Sequence, residues 1–284
     1  MGRLAHQAPS ADVVGQGGAA NRLARVFRYE GGASGPAFAQ AVAVETPVEI
    51  FYSGQPFAVM MATPADLEDF AVGFSLTEGI IERFEEIRGV EARLGDESAE
   101  VEIALSADAL RALLARRRVL AGRTGCGVCG IEDLAHLPRG RPIRAGAAPI
   151  APGAIGAAVA ALDAGQPLNA LTRAAHGAAW CAASGEILLI REDVGRHNAL
   201  DKCIGALLRQ SQDVSDGFLL ITSRCSHEMV VKASVLGAST LVSVSAPTTL
   251  ALRRAEETGL RLITVARADH ALSFGVAAVG EAAA

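Results

Sequence analysis

Cys126 and Cys129 stand in the run TGCGVCG, flanked by Gly125, Gly127 and Gly130. No bulky neighbour shields either sulfur. Glycine loses the most backbone freedom on folding, so the run reads as a mobile loop that presents thiols. Arg116, Arg117, Arg118 and Arg123 lie just upstream. Nearby guanidinium groups favour the thiolate, which is both the nucleophile and the metal ligand. The expectation is an exposed, electropositive dithiol. A structural zinc site needs two more ligands, and Cys181, Cys203 and Cys225 are isolated from one another in sequence. Zinc within the chain or shared between subunits remains an alternative, as does a redox dithiol. A thioredoxin-like pair opens a helix after a strand, whereas these glycine flanks suit a carrier loop better.

Three further segments carry chemistry. EDVGRHNALDK, Glu192 to Lys202, packs six ionisable residues into eleven, with Arg196, His197 and Asp201 opening a helix behind Gly195. Helix N-termini bind anions, phosphate above all; a capped helix with a solvated turn is the plainer reading. SRCSHEMVVK, Ser223 to Lys232, repeats the strand-to-helix pattern. It has no second His at helical spacing, so it is not a zinc-protease signature, and Glu228 and Lys232 are spaced to pair on one helix face. SAPTT, Ser245 to Thr249, begins a helix after a buried strand, where Thr248 and its neighbours cap the helix or cradle a phosphate or ribose. His176 reads as a structural histidine. Lys202 and Lys232 are the only lysines beside 24 arginines; they mark places where a compact ammonium is wanted instead of a planar fork.

The elements that must position these groups follow from pattern. Residues 1–24 read as a disordered tail and 25–115 as an α+β part. Residues 116–150 form the Arg- and Gly-rich loop with the dithiol, and 151–284 an α/β domain. Short apolar runs at Val42–Glu45, Val48–Tyr52 and Phe57–Met61 predict strands, the last two joined at Ser53-Gly54. Thr63 and Pro64 predict the cap and first position of a helix that Gly79 stops. Ala99–Leu105 alternates as a strand, and Ser106 caps a helix bearing Leu110, Leu113 and Leu114. After an alanine-rich helix at Ala154–Ala164, a hairpin turns at Ser184-Gly185. Strands at 218–222, 240–245 and 261–266 then alternate with helices at 196–209, 228–236 and 248–259. Alternation of this kind implies right-handed crossovers and a mostly parallel sheet, with ligands beyond the carboxyl ends of its strands.

Composition sets the outer limits. The chain has 284 residues, half of them hydrophobic, with 31 acidic against 26 basic residues and a net charge of −5. That argues against a nucleic-acid binder. No apolar run approaches a bilayer span, and no signal region follows Met1. Five cysteines with one close pair fit a reducing cytoplasm.

Taken together, VETPVEIFYSGQPFAVMMATPADLEDFAVGFSLTEGII, TGCGVCG, EDVGRHNALDK, SRCSHEMVVKA, SAPTTLA and AEETGLRLI run in one order from Val44 to Ala266. In this the sequence resembles the formate dehydrogenase accessory sulfurtransferases, FdhD-like proteins. The resemblance implies a cytidine-deaminase-like three-layer sandwich and a homodimer. It implies a persulfide carrier, Cys126, assisted by Cys129. The sulfur comes from a cysteine desulfurase and passes to the molybdenum cofactor (bis-molybdopterin guanine dinucleotide) destined for formate dehydrogenase. It also implies a guanine-nucleotide or cofactor segment at Val265, Ala266, Arg267, Ala268, Asp269 and His270. Arg196, His197, Ser223, Lys232, Ser245 and Thr248 are the further candidates, and a GDP-like nucleotide is a second ligand. The chain departs from the family pattern at Ala174-Ala175, at His227, where an aromatic is usual, and in VARADH. Deamination is not expected: no H-x-E occurs, and Cys126 follows glycine where a deaminase has proline.

Overall fold

The computed structural model describes residues 20–30, 33–117, 140–143 and 149–274. Three sheets organise it. Strands β1 (Asn21–Glu30) and β2 (Ala33–Ala43) form an antiparallel hairpin. The expected tail therefore ends sooner than predicted, because Asn21 to Ala24 pair with Gln40 to Ala43. Strands β3 (Thr46–Tyr52), β4 (Gln55–Ala62), β5 (Ile87–Leu94) and β6 (Ala99–Leu105) form a second sheet in the order β4-β3-β6-β5. Its inner residues Val48, Ile50, Tyr52, Val101 and Ile103 are fully buried, as period-two alternation requires of a sheet with one wet face.

Helix α1 (Leu67–Thr77) lies between that sheet and helix α5 (Arg196–Arg209). It starts later than the Thr63-Pro64 signature suggested. Asp66 occupies the cap position with φ of 52°, and the Thr63 hydroxyl is recruited elsewhere, accepting from the Val194 amide at 3.1 Å. The far end is as predicted: Gly79 has φ of 65° just past the helix. Helix α2 (Ala107–Arg117) is capped by Ser106, whose hydroxyl accepts from the Ala109 amide.

The third sheet has the order β12-β11-β10-β9-β7-β8, built from β7 (His176–Cys181), β8 (Ile187–Asp193), β9 (Phe218–Ile221), β10 (Thr240–Ser243), β11 (Arg261–Thr264) and β12 (Leu272–Phe274). Only β9-β10-β11 are parallel neighbours; β7 is antiparallel to both β8 and β9, and β12 to β11. The mostly parallel sheet of the sequence reading is thus a mixed one. The hairpin at Ser184-Gly185 enters β9 from its free side and interrupts the βα alternation.

Helices α5, α6 (His227–Leu236) and α7 (Thr249–Thr258) cover one face of this sheet; α3 (Ala154–Ala161) covers the other. A single core joins the first of these faces to α1 and the four-stranded sheet, running from Tyr52 and Phe70 to Trp180, Leu200 and Leu241. Trp180 is fully buried in it, and cutting it to alanine should cost about 3–5 kcal/mol. The helices α1 and α5 cross at glycines. A Cβ on Gly73 would lie 1.8 Å from the Asp201 carbonyl oxygen, and one on Gly205 1.8 Å from that of Asp69. Among the described residues no helix is long and apolar enough to cross a membrane.

Candidate functional site

Strand direction decides what meets. Because β7 runs against both of its neighbours, β8, β9, β10 and β11 all end at one edge of the sheet. The chain leaves that edge into α5, α6 and α7, and His176 enters β7 there. The segments around Arg196, Ser223, Ser245 and Val265 therefore share one rim, as the sequence predicted.

The first corner is built on Asp193, which is completely buried. Its carboxylate accepts from the Thr63 amide (2.9 Å), the Gly195 amide (2.8 Å) and Asn198 Nδ2 (3.1 Å), and pairs with Lys202 Nζ at 2.7 Å. Lys202 is fully buried too and also donates to the Thr63 carbonyl at 2.9 Å. Two charges out of water are tolerable only with such complete pairing. The result fixes the turn that delivers Arg196 and His197 to the first turn of α5. Glu192 points the other way and accepts from the Leu168 and Asn169 amides, both at 2.8 Å, so it caps α4 (Pro167–Thr172).

The second corner titrates. Burial pushes His197 down to about 4, helped by the positive charges of Arg196 and Lys232. The ring is neutral at pH 7, and its Nε2 is buried without a hydrogen-bond partner among the described residues. His227 Nε2 is in the same condition, while its Nδ1 stands 3.2 Å from Glu228 Oε2. Burial and Arg196 also lower His176, against the pull of Asp193. The Glu228–Lys232 pair expected from spacing does not form. Lys232 is instead buried against Asp201 (2.8 Å), with Glu78 at 3.4 Å and the Thr77 hydroxyl at 2.8 Å. This ties α6 to α5 and to the end of α1, and it takes Lys232 out of the ligand-facing set. Burial raises Asp201 to about 6 despite Lys232. Burial pushes Lys232 down, but the Asp201 and Glu78 charges outweigh that and its net direction is up.

The middle of the rim is stitched by backbone. Cys225 and Pro247 form an isolated parallel bridge, in which the Cys225 amide donates to Ala246 at 3.1 Å and the Thr248 amide to Cys225 at 3.0 Å. Ser223 is buried, with its carbonyl accepting from Ser243 Oγ at 2.8 Å. Thr248 is the plain cap of α7, its hydroxyl accepting from the Ala251 amide at 3.2 Å. The Ser245 carbonyl accepts from Val265, whose φ of 51° is a strained value for a β-branched residue. Beyond it, the Arg267 amide donates to the His270 carbonyl at 2.7 Å, and the Arg267 guanidinium donates to the Val244 carbonyl at 2.6 Å. Ala266 is buried, whereas Arg267, Ala268, Asp269 and His270 are exposed. A groove of about 380 Å³ runs between this turn and the start of α3, with Arg261, Arg267 and His270 along it.

The sulfurs of this body are inert. Burial raises Cys181 and Cys225 to about 12 each and pushes Cys203 higher still. All three stay protonated thiols at neutral pH, so they are neither nucleophiles nor ligands. Cys126 and Cys129 lie outside the described residues. The chain returns at Gly140 (φ of 83°), where the Arg141 amide donates to Ser234 Oγ and the Ile143 amide to the Thr258 carbonyl.

A profile of the FdhD/NarQ family matches residues 43–277, everything just described except the hairpin. The chain belongs to the FdhD/NarQ family. Among its relatives, the sulfur carrier protein FdhD of Bordetella petrii is 46% identical over 274 residues, 96% of either chain. That of Xanthomonas euvesicatoria pv. vesicatoria is 49% identical over 245 residues, 86% of either chain. The crystal structure of a formate dehydrogenase accessory protein from Desulfotalea psychrophila superposes with a TM-score of 0.70. It covers 90% of this chain and 97% of its own at 23% identity, which speaks to fold alone.

Within this FdhD/NarQ chain, sequence reasoning missed the roles of Asp193, Thr63 and Asn198. A buried carboxylate flanked by Gly195, Asn198 and Lys202 carries a signal, since one acid is surrounded by donors at positions two, five and nine. Thr63 carries none, because its partner lies 130 residues away.

Proposed function

We propose that this chain is a sulfur carrier that serves formate dehydrogenase, with Cys126 as the site of the carried sulfur. The observation that carries the reading is 46–49% identity, over most of the chain, to proteins named as sulfur carriers. The inertness of the other three thiols agrees with it, since it leaves sulfur chemistry to the pair in TGCGVCG.

In the loading step the Cys126 thiolate attacks the terminal sulfur of a cysteine desulfurase persulfide. A new S–S bond forms on Cys126, the donor's S–S bond breaks, and the donor cysteine leaves as thiolate. For release, the Cys129 thiolate attacks Cys126 Sγ, closing a Cys126–Cys129 disulfide and freeing the terminal sulfur as hydrosulfide for the acceptor. The acceptor in this reading is the molybdenum cofactor in its bis-guanine-dinucleotide form, held as cargo. Arg196 and the amides opening α5, α6 and α7 offer an anion-friendly rim for its phosphates, and the Val265–His270 turn would take the guanine nucleotide. The neutral His197 ring has a buried Nε2 without a hydrogen-bond partner among the described residues, a polar atom that such a ligand would satisfy on reaching it. A cytidine-deaminase-like ancestry for the layered C-terminal body belongs to the same reading.

Covalent length permits the transfer. Cys126 is 14 residues before Gly140, a reach of at most about 50 Å. The rim is one helix length from that anchor, and α6 with its ten residues is only about 15 Å long.

The test is persulfide labelling after incubation with a cysteine desulfurase and cysteine. Wild type should label and Cys126→Ala should not; equal labelling would remove Cys126 as carrier. Mass spectrometry of the small molecule co-purifying with Cys126→Ala should reveal a guanine-containing pterin, and its absence would separate the carrier from the cofactor part of the proposal.

A further inference from the structure

Two polar atoms at the rim are buried and unpaired. His197 Nε2 and His227 Nε2 both lack a hydrogen-bond partner among the described residues. They open the neighbouring helices α5 and α6, and His197 senses the charges of His227 and Glu228. A buried polar atom without a partner destabilises a fold, so each such atom asks for a reason. The two rings differ in their surroundings. His197 is held neutral by burial and by Arg196 and Lys232, whereas His227 has a carboxylate beside it. Its Nδ1 stands 3.2 Å from Glu228 Oε2, and its side chain is 16% exposed.

A general base needs such surroundings. A carboxylate next to Nδ1 favours the tautomer with its proton there, which leaves the Nε2 lone pair free to accept. Burial pushes the Glu228 carboxyl up, but hydrogen bonding at the start of α6 and the His227 and His197 rings outweigh it. The net direction is down, and Glu228 stays ionised. Around His227 the charges divide by sign. Arg196 and the positive end of α6 oppose a proton on the ring, and Glu228 favours one. Lys232 lies further along α6, paired with Asp201 and Glu78. The same positive end favours a thiolate over a thiol. The rim thus joins a proton acceptor to a field that stabilises an anion. Among the described residues it holds no thiolate of its own, because Cys225 is buried and raised to about 12.

We propose that His227, backed by Glu228, is a proton acceptor for a sulfhydryl working at this rim. The proposal rests on the sulfur-carrier reading, whose release step supplies that sulfhydryl. The S–H bond breaks, its proton goes to His227 Nε2, and its electron pair stays on sulfur as the thiolate. The thiolate attacks the inner sulfur of the persulfide, and a new S–S bond forms. The old S–S bond breaks, and its pair leaves on the terminal sulfur as hydrosulfide. The attacking sulfur is oxidised to the disulfide level and the terminal sulfur is reduced to sulfide, so no outside oxidant enters. The imidazolium then returns its proton to water. His197 stays neutral throughout and sets no positive charge against the proton on His227.

The test is His227→Phe in the full chain, which keeps a ring and removes both nitrogens. Two rates are read. One is iodoacetamide alkylation of the TGCGVCG thiols, followed by mass spectrometry. The other is single-turnover hydrosulfide release after loading by a cysteine desulfurase. The melting midpoint should stay at or above that of wild type, since an unpaired buried atom is gone. Both rates should fall about tenfold at pH 7 and rejoin wild type at about pH 9, where an ordinary thiol ionises unaided. His227→Gln, polar but not basic, should behave alike, so the test survives if one variant melts early. Glu228 is a positioning residue, and Glu228→Gln should lower both rates by less, with the same convergence. Unchanged rates in the folded His227 variants, or losses that persist at high pH, would overturn the assignment. If wild type takes up no persulfide sulfur, the carrier reading fails, and alkylation alone still decides the role of His227.

Discussion

The two lysines of this chain sit in two buried pairs that share helix α5, and the pairs behave differently. Lys202 faces Asp193, whose remaining lone pairs are filled by three N–H donors. All of these partners are donors, and the Asp193 carboxyl is the acceptor that satisfies them together. Lys232 faces Asp201, which has the Thr77 hydroxyl as its other neighbour and is already raised to about 6 by burial. Asp201 can take up a proton and keep a hydrogen bond. The comparison divides the rim into a fixed corner, which aims Arg196 and His197, and a titrating corner, which contains His197, Asp201 and Lys232.

The sharpest way to break this division is to remove each ammonium. Lys202→Met should cost about 3–5 kcal/mol in urea unfolding at pH 7, as expected for an orphaned buried charge. A loss near zero would mean that the Asp193–Lys202 pair does not hold this corner together. The next effect is a pH dependence. His197 falls to about 4 in the fold from an ordinary 6.5, so the unfolded chain binds the proton first as pH drops. The His197 contribution to stability should be constant above pH 6.5, fall by about 3 kcal/mol between 6.5 and 4, and level off below. Asp201, raised to about 6, acts with the opposite sign because the fold takes up its proton first, so the His197 part is read as the difference from the variant. His197→Gln should remove that slope, and unfolding midpoints of the two proteins across the range would show it. Lys232→Met should cost less, about 1–3 kcal/mol, because Asp201 protonates in response; a loss equal to that of Lys202→Met would erase the distinction between the corners. The smallest change is Thr248→Ala, a cap remote from both pairs, at about 1 kcal/mol.

Much of this was legible in the sequence. The strand and helix spans of the C-terminal half follow from apolar runs between turn residues, and the three helix starts do share an edge. The two lysines did mark special positions, although the structure uses both as buried counter-ions and so withdraws Lys232 from the candidate contacts. What stayed hidden is long-range. The Thr63-Pro64 signature is a sound local helix start, but its hydroxyl and carbonyl are claimed by Val194 and Lys202. Strand β5 escaped notice because its alternation is broken by a bulge between Ile87 and Gly89. Helix α4 has only six residues and leans on Glu192 for its cap. The parallel sheet became mixed because a hairpin, silent about its direction in sequence, enters beside β9. Cys126 and Cys129, the most conspicuous feature of the sequence, lie outside the described residues, so their reading rests on sequence and kinship.

The glycine crossing of α1 and α5 has a mechanical meaning. With main chain resting on main chain at Gly73 and Gly205, no compressible side chain remains to act as a cushion. The two helices must tilt as one beam. A push on the rim end of α5 therefore reaches α1, and the four-stranded sheet packed on it, through backbone alone.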